Sequence, residues 1–435
     1  MRCWLEIMSD GLKGKNDIAW QKLFLKHNIL DKIESKGIYE IKASTINEFR
    51  EARLMTKFDH LNNLPDIFKK NKIAILPITR GSYILSRVDA YHFLEKVEDK
   101  ITKISFPEHI KTIDYKNITS ESVAINCVYV SGILDDFLSD GQILPTVNGR
   151  MGSGVFSFGI RQTDTGRFLP IDVFNSQVEI DGGFEGENHL TLLEAKNFIS
   201  DDFLIRQLYY PYRLWSDNIK KPVRNIFMIY SNGIFSLYEY GFLEKLNYNS
   251  IFLKRQKNYT LEDVDVLESD VIKILKDVRK IREPELSFPQ ADSFKRVVNL
   301  CELLFEGDKT REEITQNYAF DARQTNYYTD AGRYLGLVDK YKKDDEICFG
   351  LTDEGKRALS LDYKNRQLVF VRLILAHSVF RDVLNLFFKE GKLPNKENVV
   401  KIMRGANLYN VSAQSTYKRR ASTVLGWVRW IIKLF

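Results

Sequence analysis

A chain of 435 residues is long enough for about two to four domains, each with a buried core. Hydrophobic residues make up 44% and charged residues 28%, an ordinary balance for a globular protein, and no apolar run approaches the roughly eighteen residues of a membrane span. The net charge of +6 is mild, so a surface for a polyanion must come from local clustering of basic residues.

Cysteines and histidines are few and scattered, which argues against zinc sites and disulfide frames. No two cysteines have C-x-x-C spacing, and no two histidines have H-x-x-x-H spacing. Residues 1–8 are too short and too acidic for a secretory signal. We therefore predict a cytoplasmic protein of prokaryotic type without membrane association, with four reduced cysteines at Cys3, Cys127, Cys301 and Cys348.

Residues 1–104 are predicted to form an N-terminal α/β module. Apolar residues at helical spacing indicate a helix over residues 17–27, and residues 73–76 and 83–87 have strand character around a turn. In that turn, Arg80 beside Gly81 could touch a phosphate, although a solvated turn explains it equally well. A DNA-contacting role and a structural role both remain open for this module.

Residues 105–250 are predicted to form the next domain. Residues 120–138 carry an apolar stripe behind the N-cap Ser120, which indicates one helix. Residues 149–161 combine glycines with β-formers and are predicted to be one strand at the border of a site, with a bulge or sheet crossing as the alternative. Residues 223–231 and 234–240 flank Asn232-Gly233, a strong hairpin signal.

A second hairpin carries the strongest chemical signal. Residues 177–181 and 190–196 have β character and flank a glycine-rich turn. Because side chains alternate between the two faces of a strand, Asp181, Glu194 and Lys196 are predicted to converge at one edge of a small sheet. An ordinary solvated face is the alternative interpretation of these residues.

Two carboxylates and an ammonium group at one point suit phosphodiester chemistry. The carboxylates of Asp181 and Glu194, with the backbone carbonyl of Ala195, can hold Mg²⁺ and leave its other positions to water and a phosphate. Such a cation activates a bound water and neutralises charge that develops on phosphorus. Lys196 would orient the attacking water, help to deprotonate it, or stabilise the phosphorane.

The pattern of Asp181 followed by Glu194-Ala195-Lys196 resembles the D…ExK core of the PD-(D/E)xK nucleases, a family that includes many type II restriction endonucleases. Ile180 stands where the family usually has a proline. Residues 203–213 resemble the helix that follows the ExK strand, where polar side chains face the scissile phosphate. The resemblance covers roughly residues 105–245 and implies that the Asp, Glu and Lys are catalytic.

Three further residues are second-rank catalytic candidates by the same resemblance. A helix before the core sheet often lends an acidic residue in this family, and Glu121 fits that place. A first-turn glutamate that favours the helix dipole explains Glu121 at least as well. Gln207 lies in the segment that resembles the following helix, and Glu179 shares the predicted strand face of Asp181.

Residues 251–292 are predicted to connect this domain to the C-terminal part of the chain. A charged amphipathic helix over residues 260–281 leads into a polar loop that contains Pro284 and Pro289. The segment is therefore interpreted as a domain boundary, although an oligomerisation helix would have the same pattern.

Residues 293–363 change to short helices followed by a hairpin. Thr310 and Glu313 have capping-box spacing, and residues 338–341 and 347–351 flank a charged turn. The order over residues 311–355 resembles the winged helix-turn-helix family. It implies a recognition helix in residues 322–336 that reads bases with Arg323, Gln324, Asn326, Tyr327, Tyr328 and Arg333. A protein–protein module is the alternative, because fold alone does not fix function.

Residues 364–435 repeat the helical theme and concentrate positive charge. Helices are predicted over residues 368–388, 395–404 and 412–435, and no acidic residue follows Glu397. Phosphate binding is the simplest use for this charge, and a membrane-surface helix fits less well because the apolar stripe suits packing. A second, winged-helix-like DNA-binding domain is predicted, with contacts from Gln414, Lys418, Arg419 and Arg420.

These features predict a multidomain α/β (α+β) protein that works as a Mg²⁺-dependent type II restriction endonuclease on double-stranded DNA. A homodimer is predicted, because cutting both strands with one site per chain usually calls for two copies. A DNA repair or structure-specific nuclease is one alternative. A non-catalytic DNA-binding regulator with a decayed nuclease-like domain is another, and a nuclease for modified DNA is a third.

Overall fold

The computed structural model describes residues 14–95, 100–261, 265–318, 320, 322–406 and 408–435. Three sequence-based interpretations therefore lie outside the described residues. They concern Cys3, residues 1–8, and Val264 in the predicted helix 260–281. Cys127, Cys301 and Cys348 are buried thiols. The chain is a mixed α/β protein with two compact units, unit 1 (Met1–Thr102, Ser120–Tyr230 and Phe235–Tyr259) and unit 2 (Lys103–Thr119, Ser231–Ile234 and Thr260–Phe435).

The first part of unit 1 is a three-stranded antiparallel sheet with helices around it. Its central strand, Ser82–Ser86, pairs with Ile38–Lys42 on one side and with Ala74–Pro77 on the other, so the predicted strands around residue 80 are confirmed. The elements are α1 (Lys15–His27), α2 (Ile29–Lys36), β1 (Ile38–Lys42), α3 (Ala43–Ile46), α4 (Ala52–Met55), α5 (Asp66–Asn71), β2 (Ala74–Pro77), β3 (Ser82–Ser86) and β4 (Tyr91–Phe93).

An aromatic cluster forms the core of this part. Trp20 and Phe24 of α1 meet Phe68 of α5 edge to face, with ring centroids 4.8 and 5.4 Å apart. The Trp20 indole donates to the Met55 carbonyl at 2.9 Å, which satisfies its buried N–H. The apolar spacing that predicted the helix over residues 17–27 therefore marks the face that packs inward.

A seven-stranded sheet dominates the rest of unit 1. Its strand order is β5-β14-β13-β12-β10-β9-β6, and β7 and β8 form a separate antiparallel pair. The elements are β5 (Ile101–Lys103), α6 (Glu121–Val130), α7 (Ile133–Leu138), β6 (Leu144–Gly152), β7 (Val155–Arg161), β8 (Phe168–Phe174), β9 (Gln177–Glu185), β10 (Leu190–Lys196), β11 (Asp202–Leu204), α8 (Arg206–Asn218), β12 (Val223–Ser231), β13 (Ile234–Phe242) and β14 (Ile251–Thr260).

Two single-element predictions in this region are wrong, and glycine explains both. The predicted helix 120–138 is interrupted at Gly132, whose φ of +79° ends α6 and lets the chain start again as α7. The predicted strand 149–161 is two strands of different sheets, and Gly154 at φ +68° makes the bend between them. The two predicted hairpins, β9–β10 and β12–β13, are confirmed.

Asp140 holds the turn of the β9–β10 hairpin. One carboxylate oxygen accepts the backbone and side-chain N–H groups of Asn188 at 3.2 and 2.9 Å, and the other accepts the backbone N–H of His189 at 2.9 Å. Burial would raise the pKa of Asp140, but these hydrogen bonds outweigh it and hold the pKa below its usual value. The turn between the two site-bearing strands is thus fixed by an ionised carboxylate.

Replacing Asp140 with asparagine is expected to lower the free energy of unfolding by about 1–3 kcal/mol. The asparagine amide puts donors where backbone donors already point, so buried N–H groups lose their acceptor. Urea unfolding followed by fluorescence measures the change. The exposed Asp135 on the preceding helix is the matched control, and an equal effect of Asp135→Asn and Asp140→Asn would refute the role of Asp140 in the turn.

Unit 2 is mainly helical. Trp427 donates from its indole to the Ala291 carbonyl at 2.7 Å and meets Phe294 edge to face, so both ends of the unit share one core. The elements are α9 (Glu268–Asp277), α10 (Phe294–Phe305), β15 (Lys309–Thr310), α11 (Arg311–Asn317), α12 (Ala322–Tyr334), β16 (Val338–Lys343), β17 (Glu346–Leu351), α13 (Asp353–Leu359), α14 (Tyr363–Ala376), α15 (Ser378–Glu390), α16 (Lys396–Gly405) and α17 (Gln414–Ile432).

The local predictions for unit 2 have mixed outcomes. The capping box is confirmed, because Thr310 accepts from the Glu313 N–H while the Glu313 carboxylate accepts from the Thr310 N–H. The hairpin of β16 and β17 is confirmed. The single predicted helix 368–388 is wrong: His377 has extended φ and ψ, stacks on Tyr334 at 4.1 Å and pairs with Glu283, which breaks the run into α14 and α15.

Across the described ranges, no helix combines the length and apolar character that crossing a membrane requires.

Candidate functional site

The two strands of the site hairpin separate where the acidic residues begin. β9 and β10 pair from Glu185 and Leu190 as far as Gly182 and Leu193. Continuing this register by one position sets Asp181 opposite Glu194, and there the ladder stops. On its other side β10 stays paired with the parallel strand β12 as far as Lys196. The sheet therefore opens on one side of β10 while the strand itself remains fixed.

Asp181 bridges the opening. Its Oδ2 accepts a hydrogen bond from the Ala195 backbone N–H at 3.0 Å. The carboxylate thus takes the place of a β9 carbonyl as acceptor, because the two strands no longer pair at this position. The carboxylate is half-buried. The hydrogen bond thus fixes the position of this side chain next to Glu194.

Glu194 and Lys196 form a buried pair. They are 9% and 7% exposed, so the alternative of a solvated face does not hold for them. The Lys196 Nζ donates to the Glu194 Oε1 at 2.6 Å, and the Gln207 Nε2 donates to the same oxygen at 2.6 Å. Gln207 reaches this oxygen from the first turn of α8. Gln207, which the sequence analysis placed in a different segment from Glu194 and Lys196, therefore contacts Glu194.

The electrostatics of this pair favour a retained ammonium group. Burial raises the pKa of Glu194 above its usual value against the attraction of Lys196, and Asp181 and Asp59 raise it further. Burial alone would lower the pKa of Lys196, but Glu194, Asp59 and the other nearby carboxylates outweigh it and raise that pKa. At neutral pH Lys196 is therefore a cation and not a base.

Glu121 joins the same cluster from the N-terminus of α6. The Ser120 hydroxyl accepts the Val123 N–H at 3.2 Å, and the Asn197 side chain, turned so that its oxygen faces the helix, accepts the Glu121 N–H at 3.0 Å. Burial raises the pKa of Glu121, Lys196 lowers it and Asp181 raises it, which places all three within electrostatic reach. The helix-dipole explanation of Glu121 is thus incomplete.

Asp59 is a site residue that the sequence analysis did not identify. It acts on the pKa values of Glu194, Lys196 and Glu121, although it lies in the loop between α4 and α5. That loop is bound to the segment β11–α8. The Leu204 N–H donates to the Asp59 carbonyl at 2.9 Å, and the Leu61 N–H donates to the Asp202 carboxylate at 3.0 Å.

His60 strengthens the same attachment. Its Nδ1 lies 2.5 Å from the Asp202 carbonyl oxygen, and the ring meets Phe198 edge to face at 5.2 Å. The Tyr91 hydroxyl donates to the Phe58 carbonyl at 2.8 Å. No local pattern marks this loop, because its role arises only from contacts with distant segments.

On the hypothesis that the cluster binds a divalent cation, replacing Asp59 with asparagine is expected to weaken the binding of Ca²⁺, used as a probe in place of Mg²⁺, about tenfold. The reason is the loss of one negative charge close to Glu194. Isothermal titration calorimetry of the intact chain measures the affinity. Asp66→Asn is the control, since Asp66 is exposed and lies in the same module. Equal affinities of the two variants would contradict a role for Asp59 in this site.

Glu179 is not brought into the cluster. It is exposed and forms an ion pair with Arg150 at 3.1 Å. Its carboxylate is thus paired with Arg150 and not with Lys196, although its strand face is the predicted one. The alternation rule places a side chain on a face but does not set how far along the strand the site extends.

The donor set fits a hard cation. The Glu194 carboxylate contacts the Lys196 ammonium, and the carboxylates of Asp59, Glu121 and Asp181 act on the pKa of Lys196 from nearby. Carboxylate oxygens of this kind suit Mg²⁺. Within the described ranges no three acidic, histidine or cysteine side chains are already arranged around one point as metal ligands. Mg²⁺ is commonly held by one or two carboxylates with waters and phosphate oxygens, so Asp181 and Glu194 are sufficient in number.

The predicted DNA-reading residues of α12 differ in exposure. Arg323 is exposed, and its Nε donates to the Tyr327 hydroxyl at 2.7 Å. Arg333 is half-buried and pairs with Asp330 at 2.9 Å. The inclusion of Tyr328 in the reading set is wrong, since its ring is 8% exposed and packs in the core of unit 2. Two further predicted residues, Gln324 and Asn326, are half-buried.

The basic residues of α17 adjoin the same helix. Burial and Arg419 lower the pKa of Arg420, while Tyr327 and Asp330 of α12 act in the opposite direction. Arg420 therefore lies next to α12. Gln414, Lys418 and Arg419 are exposed, and Gln414 accepts a hydrogen bond from Arg404. Arg420 thus links the two predicted reading sets, on α12 and α17, which the sequence analysis treated as two domains.

Three family models match the chain, and each is described as a domain of unknown function. DUF6996 matches residues 17–85, DUF6997 matches residues 86–260, and DUF7226 matches residues 296–435. No curated protein and no solved structure matches the chain. The candidate site draws on two of these segments, because Asp59 lies in the first and the Asp181, Glu194 and Lys196 group lies in the second.

Proposed function

We propose that the protein is a Mg²⁺-dependent endonuclease that hydrolyses phosphodiester bonds in double-stranded DNA at a specific sequence, as type II restriction endonucleases do. The observation that carries the proposal is the meeting of Asp181, Glu194 and Lys196 where β9 and β10 stop pairing. Acidic oxygens beside one retained ammonium suit a hard dication and a phosphate at the same point.

Each residue of the site has a distinct task in this proposal. Asp181, Glu194 and the Ala195 carbonyl would hold Mg²⁺, which supplies charge neutralisation and a more acidic bound water. Lys196 orients the attacking water and stabilises charge that develops on phosphorus, because its raised pKa keeps it protonated. Gln207 holds the Glu194 carboxylate through its amide N–H.

The order of elements supports a PD-(D/E)xK-like core for this part of unit 1. α6 precedes the site strands and carries Glu121, β9 and β10 carry the acids and the lysine, and α8 follows with Gln207. β12 then runs parallel to β10.

We assign base reading to the predicted reading residues on α12 and α17. The succession of α11, α12 and the β16–β17 hairpin supports a winged-helix-like arrangement, in which the second helix enters the major groove. Arg323 and the exposed Gln414, Lys418 and Arg419 bring the donors that bases and phosphates require. One catalytic site per chain implies that a homodimer, or two successive binding events, cuts both strands.

The test is incubation of the purified chain with plasmid and phage DNA, with Mg²⁺ and with EDTA. Discrete fragments that form with Mg²⁺ and not with EDTA are expected. A smear would replace the restriction proposal with a repair or non-specific nuclease. Binding without cleavage of both methylated and unmethylated DNA would overturn catalysis and leave a DNA-binding regulator.

A further inference from the structure

A small cavity lies against Glu194. Its polar lining residues are Glu179, Glu194, Gln207 and Asn225, and the others are apolar residues of β9, β10 and α8 such as Ile180, Leu192 and Leu208. Its volume of about 10 Å³ has room for the centre of about one water molecule. The cavity is therefore a single-molecule site beside a residue to which we assign metal binding.

Two polar atoms of the cavity residues lack a partner. The Asn225 Oδ1 and the Gln207 Oε1 are buried and accept no hydrogen bond in the part of the chain that the structure describes. Asn225 is 1% exposed and lies on β12 opposite Leu192, so its side chain is held at this place by the parallel ladder. Gln207 is held by its other amide atom, since Nε2 donates to Glu194 at 2.6 Å.

The amide of Gln207 has one orientation that fits. The opposite orientation would bring Oε1 towards the Glu194 carboxylate, and two acceptors would then face each other. Oε1 must therefore point away from Glu194. Leaving the Gln207 Oε1 and the Asn225 Oδ1 without hydrogen-bond donors costs more free energy than ordering one water molecule that donates to both.

The Asn225 Oδ1 and the Gln207 Oε1 are two acceptors without a donor, and a water molecule can donate two hydrogen bonds. An apolar occupant would leave both oxygens unpaired, and an anion would be repelled by Glu194. We infer that one ordered water molecule occupies this cavity, donates to the Asn225 Oδ1 and the Gln207 Oε1, and thereby fixes the Gln207 amide that holds Glu194. Asn225 is thus a positioning residue. The inference rests on the proposed function only in its effect on metal binding.

The test combines a crystal structure at about 1.5 Å resolution with Ca²⁺ calorimetry on the full chain. In the unsubstituted protein we expect density for one water at about 2.7–3.2 Å from both amide oxygens. In Asn225→Leu we expect this density to be absent and the Ca²⁺ affinity to fall about tenfold. Asn218→Leu, an exposed change on the same helix as Gln207, should leave both unchanged.

Two results would overturn the inference. One is the absence of density in the unsubstituted protein, which decides occupancy even when Asn225→Leu fails to fold. The other is density with several contacts near 2.3–2.5 Å, which indicates a cation and not water. Failure of the endonuclease proposal has a different signature, because the water and the Ca²⁺ affinity are measured without DNA cleavage.

Discussion

Replacing Lys196 with methionine is expected to lower the rate of Mg²⁺-dependent DNA cleavage about 10²–10⁴-fold while duplex binding is retained. Methionine keeps roughly the length of the side chain but removes the ammonium group that would stabilise charge on the phosphorus. Ca²⁺ affinity is expected to hold or rise, because Glu194 loses the cation that now occupies its Oε1. Gel-based cleavage kinetics, fluorescence anisotropy with labelled duplex and calorimetry measure the three quantities.

The opposite directions of these effects make the Lys196 experiment decisive. A merely structural role for the Glu194–Lys196 pair predicts a loss of stability together with a loss of both binding and cleavage. Lys221 offers a matched control, since it pairs with Glu185 at 2.7 Å near the other end of the same hairpin. Lys221→Met should cleave DNA at the original rate. Undiminished cleavage by Lys196→Met would refute the assigned catalytic role.

Replacing Glu239 with leucine is expected to lower the free energy of unfolding by about 3–5 kcal/mol, because it strands a buried guanidinium group. The Arg224 side chain is 9% exposed and donates to both Glu239 oxygens at 2.9 and 2.7 Å, and its third nitrogen donates to the Leu138 carbonyl at 2.8 Å. This pair joins neighbouring strands β12 and β13. Urea unfolding of the full chain measures the loss.

A double-mutant cycle separates the pair from its environment. Arg224→Met combined with Glu239→Leu should cost less than the sum of the single changes, because no buried charge is then left alone. Arg255, which also pairs with Glu239 at 2.7 Å, is exposed and can be solvated. The exposed pair of Arg150 and Glu179 is the matched control and should contribute less than about 1 kcal/mol. Strict additivity of the two buried changes would contradict the ion-pair explanation of their cost.

Local patterns predicted the elements that local chemistry controls. Asn232 and Gly233 both have positive φ, at 51° and 74°, as the tight turn between β12 and β13 requires, and the sequence signal for that turn is an Asn-Gly pair. The capping box at Thr310 and the alternation along β9 and β10 are predictable for the same reason. In each case the deciding contact lies within a few residues.

The errors lie where a distant contact or a glycine conformation decides. A glycine within an apolar stripe looks the same in sequence whether it stays helical or, like Gly132, takes a positive φ. The break at His377 depends on stacking against Tyr334, which no spacing within residues 368–388 indicates. Tyr328 sits on a predicted reading helix, yet its ring belongs to the core.

The residues of the candidate site also divide into those that local patterns predicted and those that distant contacts place. Asp181, Glu194 and Lys196 were predictable together because a hairpin makes them neighbours, and Gln207 followed from the next helix. Asp59 was not predictable, since its loop is placed by contacts with residues far along the chain, such as Asp202 and Leu204. The cavity at Asn225 could not be predicted from the sequence either, because a buried asparagine in a strand has no characteristic spacing.

The attachment of the Phe58–Leu61 loop to β11 and α8 has a consequence for how this chain can be rearranged. Asp202 and Leu204 lose hydrogen-bond partners when the segment before residue 86 is removed, and the site loses the Asp59 carboxylate. A fragment that begins at the second matched family segment, at residue 86, would thus lack the part of the candidate site that Asp59 contributes. Chimaeras of this chain should therefore exchange residues 296–435 and leave the first two matched segments together.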